Sequence, residues 1–82
     1  MKTEEMYAAL NEIFRDFLAD DTIDLKPETT ADDVEGWDSS NHINILLAVE
    51  ERFGIRMSTR EIEKLKTVGS LAELIESKLA ER

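Results

Sequence analysis

The sequence contains no cysteine, one proline, and only ten Lys and Arg against 19 Asp and Glu. Without cysteine the chain forms no disulfide and offers neither a thiol nucleophile nor a thiolate metal site. The formal net charge of −9 argues against nucleic acid and anionic membranes as partners, because both require a basic face. No apolar run approaches the ~20 residues of a membrane span, and the first residues lack the apolar segment of a signal peptide. We therefore expect a monomer that works in the cytoplasm.

The size of the chain limits what it can enclose. It has 82 residues, of which 41% are hydrophobic, so residues 1–82 are expected to form one small domain with a core of modest depth. A substrate pocket of about 300 Å³ or more is hard to enclose in such a domain without loss of the core. We therefore do not expect an enzyme.

The negative charge is concentrated in the first half of the chain. Residues 1–41 hold 12 acidic and three basic side chains, whereas residues 42–82 hold seven of each. Nine of the acids lie between Asp16 and Asp38, with Lys26 as the one base among them. Such a cluster favours a negative surface that steers a basic partner, and it is equally typical of a solvated loop that keeps a protein soluble. Charge alone does not choose between these interpretations.

Apolar residues at spacings of three and four predict helices. The first helix is expected from about Glu4 to Leu18 with Thr3 as its N-cap, and the second begins after Asp38 and stops before Gly54. Gly54 suits the left-handed position after a helix, and Ile55 can fold back onto the last turn. The apolar positions of these helices are Met6, Leu10, Ile13, Phe14, Phe17 and Leu18 in the first, and Ile43, Ile45, Leu46, Leu47, Val49 and Phe53 in the second.

Two further helices are predicted from capping-box spacings. Ser58 begins a short helix and Ser70 begins a last one, because each hydroxyl precedes a glutamate by three residues. Between the first two helices, residues 19–37 lack helical periodicity apart from a short helical turn near Thr30–Val34. The expected fold is therefore all-α: a small four-helix bundle of three main helices and one short helix, with a long first loop.

The junction of this loop with the second helix, Gly36-Trp37-Asp38-Ser39-Ser40, carries the candidate site. Asp38 is a good N-cap and would place Ser39 in the first turn with its hydroxyl exposed. A phosphate ester on Ser39 would lie beside free backbone N–H groups at the positive end of the helix. Any capped helix has similar residues, so local chemistry permits a modified serine without requiring one.

His42 lies one turn after Ser39 and, together with Asp38, invites comparison with a catalytic triad. We reject a triad, because neighbours on one helical turn cannot readily place the base and its orienting acid on opposite sides. We expect His42 to be exposed and to contact a partner or a phosphate. A small hydrolase that uses Ser39 and His42 is accordingly not expected.

Three acids early in the loop, Asp20, Asp21 and Asp24, invite a calcium interpretation. Their spacing is not that of an EF-hand loop, which needs oxygens at alternate positions and a central glycine. We therefore expect no dedicated metal site.

Trp37 is predicted to fold over the bundle and to pin the loop to the second helix, because tryptophan buries a large area. An exposed contact with a partner is the alternative. Met6 and Met57 are predicted to lie in the core or at its edge.

The sequence VEGWDSS at residues 34–40 is followed by INILLAVEERFGI at residues 43–55. This combination resembles the phosphopantetheine-attachment signature of acyl carrier proteins, with a glycine shortly before an Asp-Ser pair and a helix that ends in a Glu-Glu-x-Phe-x-Ile type of segment. The N-terminal amphipathic helix, the long acidic loop and the segment TVGSL at residues 67–71 agree in order and length. The resemblance therefore covers essentially the whole chain.

The resemblance implies that a phosphopantetheinyl transferase moves 4′-phosphopantetheine from coenzyme A onto Ser39, beside the N-cap Asp38. The thiol of that arm would then hold acyl or aminoacyl groups as thioesters for partner enzymes that load, modify and unload them and that dock through basic patches. The chain itself would catalyse nothing, and the absence of cysteine agrees with this, since the thiol comes with the prosthetic group. The alternative function is an unmodified acidic helical module that docks a basic partner.

The chain departs from the family pattern around the serine. Ser40 stands where the family usually has leucine or a similar apolar residue, and Asn41 and Asn44 occupy a helix face that is usually acidic in fatty-acid carriers. These differences favour a dedicated carrier in a specialised pathway, polyketide-like or aminoacyl, over ordinary fatty-acid synthesis. Several carriers also open their bundle to shelter an acyl chain, and the residues that could line such a cleft here, if the core is not solid, are Ile43, Leu46, Leu47, Phe53, Ile62 and Leu74.

Overall fold

A computed structural model of the chain describes residues 2–81, and the side chain of Ser39 falls outside the described part. The described residues form four α-helices and one short 3-10 helix, with no strand among them. The predicted all-α bundle of three main helices, one short helix and a long first loop is confirmed. The helices are α1 (Thr3–Leu18), α2 (Ser39–Phe53), α3 (Thr59–Glu63) and α4 (Val68–Ala80), and the 3-10 helix is Ala31–Asp33.

One hydrophobic core joins all four helices and the long loop. Met6 and Met57 are buried, as predicted. Phe17 was expected on the buried face of α1 but is 41% exposed, because the buried residues of α1 end at Phe14 and the chain leaves the helix soon after it. The most completely buried side chains are Phe14, Met6, Leu10, Ile45, Leu46, Leu71, Ile75, Val49 and Val68.

The ends of α1 show how backbone groups alone can close a helix. The prediction that Thr3 is the N-cap is wrong by one residue, because the N-cap is Lys2. The Lys2 side chain makes no capping hydrogen bond, and its backbone carbonyl accepts from the amide of Met6 (3.0 Å). At the other end, Ala19 adopts a left-handed conformation (φ 52°), and the amide of Asp20 donates to the carbonyl of Arg15 (3.1 Å). This termination directs the chain back across the bundle.

The long loop is fixed to α1 by two side chains of that helix. The guanidinium of Arg15 donates to the carbonyl of Ile23 (2.7 Å), and the amide oxygen of Asn11 accepts from the backbone N–H of Leu25 (2.8 Å). Ile23 and Leu25 are buried, so they act as apolar anchors of the loop. The helical turn predicted near Thr30–Val34 is confirmed as the 3-10 helix.

The start of α4 is tied to the same loop. The prediction that Ser70 caps this helix is wrong, because α4 begins at Val68 and its N-cap is Thr67, whose hydroxyl accepts from the Ser70 amide (3.1 Å). Two amides of this helix donate to carbonyls of the loop. The Val68 amide donates to the Thr29 carbonyl (2.8 Å), and the Gly69 amide donates to the Pro27 carbonyl (2.9 Å). Loop carbonyls therefore satisfy amide groups that a helix cannot satisfy by itself.

The short helix α3 is held at its start and across to α4. The predicted capping box of Ser58 and Glu61 is confirmed, with the Ser58 amide donating to the Glu61 carboxylate (2.8 Å). The other oxygen of Glu61 lies 2.8 Å from Nζ of Lys78 on α4. The bond from Lys78, followed by those from Ser58, lowers the pKa of Glu61, and the bond to Glu61 raises the pKa of Lys78.

The end of α2 follows the predicted geometry. Gly54 has φ 67° and donates to the carbonyl of Glu50 (2.8 Å), and the amide of Ile55 donates to the same carbonyl (3.1 Å). The Glu50 carboxylate then accepts from the amide of Met57 (2.7 Å). These bonds turn the chain from α2 towards α3 while Ile55 stays buried.

Candidate functional site

The start of α2 is built by an aspartate cap. The Asp38 carboxylate accepts from the amide of Asn41 (2.9 Å), and the Asp38 carbonyl accepts from the amide of His42 (2.8 Å). Asp38 has an extended backbone, as an N-cap requires, so the prediction for this residue is confirmed. The side chain of Asn41 reaches back to the carbonyl of Gly36 (2.7 Å), where the chain makes a turn with positive φ.

Ser39 is the first residue of α2. Its side chain lies outside the described part of the structure, so the expected exposure of its hydroxyl stays a prediction. The next residue, Ser40, is exposed, and no described group accepts from its backbone amide. Backbone amides at the start of a 15-residue helix carry partial positive charge and favour an anion.

Trp37 anchors the residue before the cap. Its side chain is only 6% exposed, and its ring meets Phe14 of α1 edge-on, with ring centroids 4.8 Å apart. Its indole N–H donates to Nδ1 of His42 (3.0 Å). The prediction that Trp37 pins the loop to the second helix is confirmed. The contact with His42 was not predicted, because nothing in one sequence shows that two rings five residues apart will face each other.

His42 differs from its prediction. It is half-buried, and it lies beside Trp37 with the two rings nearly parallel and their centroids 5.9 Å apart. The indole nitrogen can only donate a hydrogen bond, so Nδ1 of His42 must accept and its proton must sit on Nε2. A triad base needs the opposite arrangement, with Nδ1–H donating to an acid. The contact with Trp37 therefore argues against a hydrolase based on Ser39 and His42.

A cavity of about 560 Å³ opens between the 3-10 helix, the start of α2 and α3. Of the six residues predicted to line a cleft, Ile43 and Ile62 line this cavity. Leu46 and Phe53 are instead buried in the core. The residues around the cavity are Ala31, Asp32, Trp37, Asp38, His42, Ile43, Thr59, Ile62, Glu63 and Leu65.

The outer face of α2 is apolar near its start. Ile43 is 46% exposed and Leu47 is 55% exposed, although both were expected in the buried stripe of the helix. The deep core takes the neighbouring positions Ile45, Leu46 and Val49, so the stripe is wider than the part that the other helices cover. From residue 39 to residue 49 the helix has no Asp, Glu, Lys or Arg. Residues 39, 43 and 47 follow one another at steps of four and share one face.

The acids that suggested calcium form local contacts with the loop. Asp20 accepts from the amide and the hydroxyl of Thr22 (2.9 and 2.6 Å), and these bonds lower the pKa of the Asp20 carboxyl. Asp24 pairs with Lys26 (3.1 Å). Within residues 2–81, no group of three or more His, Asp or Glu side chains is arranged to hold a metal ion.

Comparison with known proteins identifies the family of the chain. Residues 8–75 match the family model described as a phosphopantetheine attachment site. The chain is 33% identical over 75 residues to an acyl carrier protein of Acidothermus cellulolyticus, covering 92% of this chain and 89% of that protein. It is also 33% identical over 81 residues to an acyl carrier protein of Thermosynechococcus vestitus, covering 98% of this chain and 99% of that protein. Its fold is similar to the solution NMR structure of holo acyl carrier protein from Geobacter metallireducens, with a TM-score of 0.86, 42% identity, and coverage of 93% of this chain and 87% of that one.

The chain therefore belongs to the phosphopantetheine-attachment family, and the predicted resemblance is confirmed. More particularly, it is an acyl carrier protein by sequence and by fold. Members of this class are carriers and not enzymes, and their prosthetic group is covalently bound 4′-phosphopantetheine. None of the helices within residues 2–81 is long and apolar enough to cross a lipid bilayer.

Proposed function

We propose that residues 1–82 act as one carrier domain and that 4′-phosphopantetheine is joined to the Ser39 hydroxyl through a phosphate ester. The observation that carries this assignment is the cap at Asp38, which makes Ser39 the first residue of α2. The described surroundings fit a phosphate, because the amide of Ser40 has no acceptor within the described residues and lies at the positive end of the helix.

When attached, the arm supplies a thiol that holds acyl or aminoacyl cargo as a thioester. The contribution of the chain is to keep that cargo tethered, which raises its effective concentration at each enzyme that docks. The role of Asp38 is to fix the start of the helix beside the attachment residue. The helix in turn holds Ser39 at one end of a rigid element that the core orients.

The partners that this function requires are a phosphopantetheinyl transferase and the enzymes that load, modify and unload the cargo. Any enzyme that acts at Ser39 also meets Ile43 and Leu47, which share its face of α2 and are exposed. The acids that line the cavity beside this face are Asp32, Asp38 and Glu63, so basic groups of a partner would contact these side chains while apolar groups contact α2. A cytoplasmic location stays a prediction.

The proposed site is tested by incubating the purified chain with coenzyme A and a broad-specificity phosphopantetheinyl transferase. We expect intact-protein mass spectrometry to show the addition of one phosphopantetheine group. An unmodified interaction module would gain no mass under the same conditions.

Two single-residue variants make the test specific. Ser39→Ala is expected to abolish the mass increase, and Ser40→Ala, the matched control one residue away, is expected to keep it. The helical circular dichroism signal of both variants should equal that of the wild type. Modification of Ser39→Ala, or loss of modification in Ser40→Ala alone, would move the site away from Ser39.

A further inference from the structure

The chain contains a single tryptophan and a single histidine, and the two side chains are hydrogen-bonded to each other. Trp37 precedes the N-cap Asp38, whereas His42 lies in the second turn of α2. Their bond therefore spans the start of the helix from outside the cap to inside the helix. It runs in addition to the two bonds that Asp38 itself makes.

The bond exists only while His42 is neutral. The indole nitrogen of Trp37 has a proton and no lone pair to offer, so Nδ1 of His42 must be the acceptor. A protonated imidazole carries a hydrogen on both ring nitrogens. After protonation, the indole nitrogen of Trp37 and Nδ1 of His42 would both carry a hydrogen although they lie 3.0 Å apart. The two N–H groups would repel each other, and the rings would have to separate.

We propose that Trp37 and His42 form a proton-sensitive latch at the start of α2. With neutral His42 the latch is closed and the indole is held against Phe14 and the helix. With protonated His42 the hydrogen bond is lost and the imidazole turns away from the indole. Trp37 and His42 are both walls of the 560 Å³ cavity, so opening of the latch changes the shape of that cavity.

Charged side chains line the same cavity as His42. Asp38 at the cap, Asp32 from the 3-10 helix and Glu63 from α3 line the same cavity as His42. On the other side of Trp37, α1 contributes the uncharged ring of Phe14. Three carboxylates and no basic group thus line the space that an imidazolium would enter. We expect the latch to be closed at pH 8 and to open once acidification protonates His42.

The latch is tested on the unmodified 82-residue chain, so the result does not depend on attachment at Ser39. Indole N–H exchange with solvent and the Trp37 emission are followed by NMR and fluorescence from pH 8 to pH 5. The exchange rate of the Trp37 indole N–H is divided by that of free indole at the same pH. On acidification we expect this ratio to rise about tenfold, which corresponds to the loss of one hydrogen bond of ordinary net strength. The backbone amides of residues 38–42 should shift with the same midpoint.

Two variants separate the latch from a general effect of acid. His42→Asn keeps an acceptor near the position of Nδ1 and cannot titrate, so its indole signals should be independent of pH over this range. Trp37→Phe keeps a ring beside Phe14 but removes the donor, so protonation of His42 should no longer shift the backbone amides of residues 38–42 as it does in the wild type. Indole exchange that does not change with pH in the wild type, or that changes equally in His42→Asn, would overturn the proposal.

Discussion

Gly69 is the residue at which helix propensity and packing make opposite predictions. It lies in the first turn of α4, and its amide donates to the Pro27 carbonyl (2.9 Å). Alanine stabilises a helix by about 1 kcal/mol relative to glycine. On that basis alone, Gly69→Ala would raise the free energy of unfolding.

Packing against the loop reverses this sign. A Cβ at position 69 would lie 2.9 Å from the carbonyl oxygen of Pro27 and 3.4 Å from its Cα and Cβ atoms. The first contact is with backbone, so the loop has to move. Such overpacking costs about 1–3 kcal/mol. The displacement also strains the backbone hydrogen bonds from Gly69 to Pro27 and from Val68 to Thr29. Each such bond contributes about 1 kcal/mol to the free energy of unfolding.

We therefore expect Gly69→Ala to lower the free energy of unfolding by about 1–3 kcal/mol, because the strain on these hydrogen bonds offsets the gain in helix propensity and leaves the cost of overpacking. The assay is urea unfolding followed by circular dichroism. Ser77→Ala is the control, since Ser77 is exposed on the same helix and its replacement should change the free energy by no more than about 0.5 kcal/mol. A Gly69→Ala variant as stable as the wild type would refute the claim that the contact between loop and α4 limits this position.

Two other predictions concern a helix cap and an ion pair. Asp38→Ala should lower the free energy of unfolding by about 1 kcal/mol in the same urea assay, because the Asn41 amide loses its acceptor, and an unchanged value would show that the cap contributes nothing. Lys78→Met should lower the melting temperature at neutral pH by removing the contact with Glu61 while keeping the apolar stem. Folding lowers the pKa of Glu61 and raises the pKa of Lys78. The difference in melting temperature between wild type and Lys78→Met should therefore be fully present from about pH 5 to about pH 10. It should shrink as the pH falls through the lowered pKa of Glu61 or rises through the raised pKa of Lys78. Thermal unfolding at pH 7 and pH 3 checks this, and a difference of equal size at both values would contradict it.

The features that the sequence predicted well depend on residues close together in the chain. These features are the aspartate cap at Asp38, the glycine stop at Gly54 and the capping box at Ser58. Each depends on groups within four residues of one another, so the local sequence was enough to predict it. The same is true of the candidate attachment residue, whose place at the first position of α2 follows from the cap.

The features that it predicted wrongly depend on residues far apart. Thr67 and Ser70 are both capable caps, and the choice between them rests on carbonyls of Pro27 and Thr29 some forty residues earlier. Likewise, periodicity placed Ile43 and Leu47 on an apolar stripe but could not show how much of that stripe the other helices cover. Exposure at the site is thus a property of packing rather than of local pattern.

The central claim is that Ser39 is the residue that bears the prosthetic group, and mapping of the modified residue tests it most directly. The wild-type chain is loaded with coenzyme A and a phosphopantetheinyl transferase, digested, and fragmented by tandem mass spectrometry. We predict that the added mass lies on Ser39 alone. A modified Ser40, Ser58, Ser70 or Ser77, or a chain that takes up no group at all, would contradict the account.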